Sequence, residues 1–190
     1  MKGIEIGRLL RANTSEFVVG CRLSQLEAPA FGSLVRAPLS ADIQIYGLIY
    51  DIHIDDDGFV RQLVSAEHLE ENIIADNRIN RNVPIEMSVL AVGYLENNQI
   101  YYLLPPRPPL SLDIIYLCNQ DEIRRFTSVG GFGYLRHILH AENLRIDELI
   151  AAHLKQTHQA QITAGNQDWS KEAIQELIIL LRDDYPTLMN

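Results

Sequence analysis

Lysine is scarce in this sequence of 190 residues, because Lys2, Lys155 and Lys171 are the only lysines among sixteen basic residues. The sequence also contains no Gly-Lys-Ser or Gly-Lys-Thr. A phosphate-binding loop of the P-loop type needs that element, since its backbone N–H groups and its lysine hold the nucleotide phosphates. ATP hydrolysis by this chain is therefore not expected.

Excess positive charge is absent as well, because the formal net charge is −9 and the chain is acidic on both sides of residue 125. Proteins that bind phosphate backbones cluster Lys and Arg, which release counterions from the nucleic acid. We therefore do not expect general binding of nucleic acids or of anionic membranes. A local patch of arginines remains the weaker alternative, with Arg78, Arg81 and Arg107 as its candidates, since a guanidinium makes planar contacts well.

Cysteine and long apolar runs are also limited. Cys21 and Cys118 lie far apart, form no zinc-type spacing, and each falls in an apolar run, which predicts two buried reduced thiols. No apolar stretch reaches the length of about 18 residues that a bilayer-spanning helix needs. The first residues lead directly into a strand pattern without the features of a signal peptide, so a cytoplasmic protein is expected.

Residues 4–118 have the texture of β-strands, with apolar and β-branched runs separated by turn-forming residues. The clearest strand is predicted at residues 43–54. One face carries Tyr46, Leu48, Tyr50, Ile52 and Ile54, and the other carries Ile45 and Ile49. Apolar side chains on both faces predict a strand that is covered on both sides for part of its length.

Turn-forming residues mark two hairpins in this region. The acidic run at residues 55–57 lacks the alternating oxygen ligands of a calcium loop, and with Gly58 it predicts a solvated turn. A second hairpin is predicted at residues 89–104, with Asn97 and Asn98 in its turn. Between the hairpins we expect a short helix at residues 66–71 and a loop at residues 78–81. The proline-rich residues 105–109 predict a stiff, extended segment before a last strand at residues 111–117.

The hydrophobic period changes to that of helices after Asn119. Asn119 followed by Glu122 predicts a capped helix start, and Gly130, Gly131 and Gly133 predict a tight turn or hinge. Two further helical patterns cover residues 134–141 and 145–159. The sequence therefore predicts an α+β protein, with a small β-barrel of six or so strands in residues 1–120 and a helical region in residues 121–190.

A final helix is predicted after the loop at Gly165 and Asn166. Ser170 is expected to cap this helix, with Trp169 packing back onto Ile174. Its expected apolar stripe consists of Ile174, Leu177, Ile178 and Leu181. Ile179 and Leu180 lie off that stripe, so the apolar arc is wider than one contact covers and indicates a second packing surface.

The N-terminal residues resemble a known family. The runs that carry the resemblance are Ile6-Gly7-Arg8-Leu9-Leu10, Ser15-Glu16-Phe17-Val18-Val19, Gly32-Ser33-Leu34-Val35 and Ile45-Tyr46-Gly47-Leu48-Ile49-Tyr50-Asp51-Ile52. Together with the proline-rich exit, they resemble the HAS-barrel, found at the N-terminus of HerA-type DNA-translocating ATPases and of rotary ATP synthase subunits. The resemblance covers about residues 3–125 and lacks the motor domain that follows in HerA-type proteins. It implies a barrel that serves ring assembly or partner docking.

Candidate reactive residues are few. His137, His140, Glu142, His153 and His158 form the one set that suits a metal such as zinc or iron. His137 and His140 share a face if their segment is helical, but no HExxH motif is present. His153 falls on the apolar stripe of its helix, where a buried, hydrogen-bonded histidine is common. Neither cysteine has a nucleophile signature, and no residue is predicted to be catalytic.

The sequence therefore predicts a non-catalytic assembly or adaptor protein without a cofactor. Its partner is expected to be another protein, such as a separate ATPase, or further copies of the chain. The predicted interface residues are Trp169, Ile174, Leu177, Ile179 and Leu180. The alternative is a metal-dependent protein or enzyme that uses His137, His140 and His153.

Overall fold

A computed structural model of the chain describes residues 3–21, 28–54, 65, 71–72 and 85–182. These residues contain seven strands: β1 Ile4–Ala12, β2 Glu16–Cys21, β3 Leu34–Pro38, β4 Ile43–Ile54, β5 Ile85–Glu96, β6 Gln99–Tyr101 and β7 Ile114–Leu117. Four α-helices follow: α1 Gln120–Thr127, α2 Leu135–Leu139, α3 Ile146–Thr163 and α4 Trp169–Leu180. A short 3-10 helix, Gly130–Phe132, lies between α1 and α2.

Six of the strands close into an antiparallel barrel. Around the barrel the order is β2, β1, β7, β3, β4 and β5, and pairing of β5 with β2 closes it. The strand β6 lies outside this circle and forms a hairpin with the end of β5. The predicted α+β class is thus confirmed, with an N-terminal barrel of six strands followed by helices.

The barrel interior is filled by the inward residues of its strands. Members of this core include Ile6, Phe17, Val19, Val35, Ile45, Ile49, Met87, Val89 and Ile115. The β-branched and aromatic members suit a pleated surface, and side chains alternate between inside and outside except where the strand register shifts. The interior is therefore a packed apolar core.

A second core joins the barrel to the helices. The outer faces of β3, β4 and β5 contribute Leu34, Tyr46, Leu48, Leu90 and Val92, and the helical region contributes Phe126, Tyr134, Leu135, Ile138 and Leu149. The Phe126 ring lies 4.7 Å from the Tyr46 ring and 5.4 Å from the Tyr134 ring, measured between centroids. The helical region therefore packs on its own barrel.

The strand β4 confirms the prediction at residues 43–54 and is covered on both faces. One detail of its predicted alternation is wrong. The register with β5 shifts between Ile49 and Asp51, and Ile52 packs against the barrel interior rather than on the face of Tyr46 and Leu48. A β-bulge inserts one extra residue, which moves the following side chains to the opposite face.

Two other local predictions are confirmed. Asn97 and Asn98, in the turn between β5 and β6, have φ angles of 47° and 68°, which asparagine tolerates better than most residues. The Asn119 side chain accepts a hydrogen bond from the Glu122 N–H, and the Glu122 carboxylate accepts one from the Asn119 N–H, both at 2.9 Å. The predicted turn at residues 55–58 and loop at 78–81 lie outside the described residues, as does most of the predicted helix at 66–71.

Candidate interaction surface and histidine sites

The position of α4 is set by its first residue. Trp169 is buried, its ring lies 5.5 Å from that of Phe132, and its Nε1–H donates a hydrogen bond to the Thr127 carbonyl at 3.1 Å. The predicted cap at Ser170 is wrong, because α4 begins at Trp169 and Asp168 precedes it without a side-chain cap. The Ser170 hydroxyl instead contacts Nδ1 of His158 on α3.

The buried face of α4 consists of Trp169, Ala173 and Leu177, which are spaced four residues apart. The predicted apolar stripe is therefore wrong in part, since Ile174 and Ile178 point away from the core. Because the side chain of Ala173 is only a methyl group, little side-chain bulk separates α4 from the helices beneath it at this position.

Four large apolar side chains of α4 are exposed. The exposed fractions are 52% for Ile174, 49% for Ile178, 60% for Ile179 and 40% for Leu180. Of the predicted interface residues, Ile174, Ile179 and Leu180 thus lie on the surface, whereas Trp169 and Leu177 pack within the chain. We call Ile174, Ile178, Ile179 and Leu180 the outer face of α4.

A cleft of about 300 Å³ lies beside this face, between α3 and α4. Its lining residues are Leu154, Lys155, His158, Trp169, Ser170 and Ile174. The apolar members form its walls. Lys155, His158 and Ser170 are its polar members. The outer face of α4 is continuous with the cleft through Ile174.

The histidine of α3 has a structural environment. His153 is buried, and its Nδ1 donates to the Gly32 carbonyl at 3.3 Å, which leaves Nε2 to accept from the Tyr134 hydroxyl at 3.2 Å. The hydroxyl of Thr157 lies 3.4 Å from the same Nε2. Burial lowers the pKa of His153 to about 4, so the ring is neutral at pH 7.

His137 and His140 lie elsewhere, in a cleft of about 590 Å³ between α2 and the barrel. Glu16 and Glu142 also line this cleft. Burial lowers the pKa of His137, although Nε2 donates a hydrogen bond to the Tyr102 carbonyl at 3.1 Å, which acts in the opposite direction.

The structure therefore does not bring the three predicted metal ligands together. His153 is enclosed by Gly32, Tyr134 and Thr157, whereas His137 and His140 face the other cleft. Within the described ranges, no three histidine, cysteine, aspartate or glutamate side chains are placed so that they share one metal ion. The histidines are close along the chain, which is why the sequence indicates a common site. In the fold, His153 faces Gly32, whereas His137 and His140 line the other cleft.

Cys21 and Cys118 are both thiols that form no disulfide. Cys118 is buried in the second core, and this burial raises its pKa well above the usual value, so it is protonated at pH 7. Cys21 is half-buried at the end of β2. Of the candidate nucleic-acid contacts, Arg107 is exposed in the proline-rich segment, and Arg78 and Arg81 lie outside the described residues.

Comparison with known proteins adds no family assignment. No protein-family model matches the chain, and no curated protein matches it. Among the helices in the described part of the chain, none combines the length and apolar character that crossing a bilayer requires.

Proposed function

We propose that this chain is a non-catalytic assembly or adaptor protein of the cytoplasm, which acts through protein–protein contacts made by its barrel and C-terminal helices. The partner is a separate ATPase or further copies of the chain. The observation that carries the proposal is the outer face of α4, where Ile174 and Ile178 are exposed one turn apart, and Ile179 and Leu180 add exposed apolar surface further round the helix. Adjoining apolar residues on a surface mark protein interaction sites.

The attachment of α4 to the body of the protein supports the proposal. The hydrogen bond from Trp169 to the Thr127 carbonyl and the buried Ala173 fix the helix on the body of the protein. The outer face is therefore preorganised, and a partner does not have to bear the entropic cost of ordering it. A helix face held in this way suits recognition by side-chain insertion.

The barrel supports the same kind of role. Its interior is filled by apolar side chains, which leaves its surface as the part that contacts other molecules. We propose that it belongs with the HAS-barrels that it resembles, in which the barrel serves assembly and docking. That resemblance is also the reason for proposing a separate ATPase as partner, since this sequence has no phosphate-binding loop.

The environments of the histidines favour a structural role over catalysis. His153 holds α3 to the loop at Gly32, and His137 binds the Tyr102 carbonyl. Both have a lowered pKa caused mainly by burial. A catalytic histidine needs access to substrate and a pKa near the working pH, and His153 meets neither condition.

Size and partner retention test this proposal together. The purified protein and the double variant Ile174→Glu/Ile178→Glu are compared by light scattering after size exclusion, against the chain mass of 21.6 kDa. Both are also used as baits in native extract. We expect the wild type to exceed the mass of one chain or to retain a partner in stoichiometric amount, and the double variant to do neither.

Ile4→Glu is the matched control, because Ile4 is an exposed isoleucine of β1 that is remote in sequence from α4. This variant should have the same mass in solution as the wild type and should retain the same proteins. The proposal fails if the wild type is a single chain of 21.6 kDa that retains the same proteins as the double variant. Thermal unfolding of each variant confirms that the comparison is made between folded proteins.

A further inference from the structure

The cleft between α3 and α4 has a defined geometry. His158 contacts Ser170, and Leu154, one turn earlier in α3, lines the cleft with Ile174, one turn later in α4. The two helices therefore run antiparallel, with the loop at residues 164–168 joining them. The cleft opens to the surface along this pair, and its volume of about 300 Å³ admits one or two large apolar side chains.

Positive charge borders this apolar cleft. Lys155 lines it directly, and Lys171 is exposed in the first turn of α4, next to Ser170. These are the only lysines of the chain besides Lys2, in a protein whose net charge is −9. Neither lysine forms an ion pair with an acidic side chain that the structure describes. Asp168 and Glu172 are exposed on either side of this first turn, so the two lysines are separate positive points at the cleft rather than a basic patch.

We infer that the α3–α4 cleft docks an amphipathic helical segment of a partner protein, with acidic side chains flanking its apolar anchors. This inference rests on the proposed function and specifies the chemistry of the partner. An apolar side chain of the segment enters between Leu154 and Ile174. Neighbouring anchors follow the outer face of α4 towards Ile178, and acidic side chains reach Lys155 and Lys171.

Charge argues for such a partner over two other occupants. A second copy brings its own net charge of −9, so that two copies repel each other except where their basic rims are used. An anionic membrane is repelled by the same overall charge, and two lysines are few for a surface that binds lipid headgroups. A short protein segment is repelled less than either, because its acidic side chains need to face only Lys155 and Lys171 and little of its surface faces the acidic remainder of the chain.

Two synthetic peptides of about 18 residues test the inference, both helical and both with leucine at positions i, i+3, i+4 and i+7. One carries glutamate beside the leucines, and the other carries lysine at the same positions. Binding is measured by anisotropy of labelled peptide. Emission of Trp169, the only tryptophan of the chain and a residue of the cleft lining, reports whether the cleft is occupied.

We expect the glutamate peptide to bind about tenfold more tightly than the lysine peptide and to change Trp169 emission. Raising the salt from about 50 mM to about 500 mM should reduce this preference, because the rim charges are exposed. Lys155→Glu/Lys171→Glu should reverse the preference. Arg107→Glu/Arg145→Glu changes the net charge equally at exposed positions outside the cleft and should leave the preference intact.

Other results would overturn the inference. Equal binding of both peptides, or a preference that survives reversal of the lysines, removes the role of charge. Stronger binding to phosphatidylserine vesicles than to the glutamate peptide indicates a membrane, and a dimer that the peptide displaces from the cleft indicates a second copy.

The inference and the proposed function fail on different results. If the peptide does not bind but Ile174→Glu/Ile178→Glu still abolishes partner retention, the inference fails and the proposed function stands. If the double variant has no effect either, both fail.

Discussion

Arg36 in β3 and Glu122 in α1 form an ion pair, with Nε of Arg36 2.7 Å from Oε1 of Glu122. Among the described residues Nε has no hydrogen-bond partner, so the contact with Glu122 is an attraction between charges. The second oxygen of Glu122 accepts the N–H of Asn119 at 2.9 Å, and the guanidinium lies 4.6 Å from the centre of the Tyr116 ring. One carboxylate thus both caps α1 and fastens it to the barrel.

Removing the charge of Glu122 should therefore destabilise the fold. In Glu122→Gln the amide oxygen still accepts from Asn119, but the largely buried Arg36 loses its counter-charge, and we expect a cost of about 1–2 kcal/mol. Glu122→Ala also loses the cap and should cost about 1 kcal/mol more. Urea unfolding of the variants measures both differences.

Asp121 provides the matched control, because it is the neighbouring acid of the same helix turn and pairs with Arg124 at 3.0 Å on the exposed side. Asp121→Asn should change the free energy of unfolding by less than about 0.5 kcal/mol. Equal effects at Asp121 and Glu122 would mean that the link between Arg36 and Glu122 contributes nothing beyond general charge.

His153 should make the protein sensitive to acid. Its pKa of about 4 in the folded state lies below the ordinary value of 6.5, because burial disfavours the charged ring. The unfolded chain thus takes up a proton first as the pH falls. The stability contributed by neutral His153 is complete above pH 6.5 and is lost progressively as the pH falls towards 4, by roughly 3 kcal/mol in total.

Comparing His153→Gln with the wild type isolates this effect from that of the carboxylates. The glutamine does not titrate, so the stability difference between the two proteins should shrink as the pH falls from 7 to 4. Parallel pH profiles for the wild type and His153→Gln would contradict the prediction.

Gly47 should tolerate no side chain. A β-carbon there would lie 2.5 Å from Cγ1 of Val89 and 2.9 Å from the Leu90 carbonyl oxygen, both in the strand β5. The backbone atom has no room to move, so Gly47→Ala should cost about 2–3 kcal/mol in the free energy of unfolding. Gly20→Ala is the control, since the three atoms nearest to its β-carbon all belong to the exposed side chain of Leu10, the closest at 3.3 Å, and its cost should stay below about 0.5 kcal/mol.

Features governed by local chemistry were predictable from the sequence. The cap at Asn119 and Glu122 depends on residues three apart, and the hairpin at Asn97 and Asn98 depends on the left-handed conformation that asparagine tolerates. The strand β4 follows from its apolar pattern. These features need no knowledge of distant partners, and each is present where the sequence indicates it.

Features governed by contacts between residues far apart in sequence were not predictable. On α4, both the stripe through Ile174 and Ile178 and the stripe through Trp169 and Ala173 have helical spacing. Only the contact of Trp169 with Thr127 and Phe132 decides which of them is buried. The ion pair of Arg36 with Glu122 joins residues far apart in sequence, and no local pattern indicates it. The predicted interface residues therefore include three that are exposed, Ile174, Ile179 and Leu180, and two that pack within the chain, Trp169 and Leu177.

The two sides of α4 should respond oppositely to the same substitution. Ala173 is fully buried, so Ala173→Glu places a carboxylate in the apolar contact beneath α4 and should cost more than about 3 kcal/mol in urea unfolding. Ile178 is half exposed, and Ile178→Glu should cost less than about 1 kcal/mol. Comparable losses at both positions would mean that the outer face of α4 is covered within the chain. No partner would then have access to it, and the proposed docking surface would not exist.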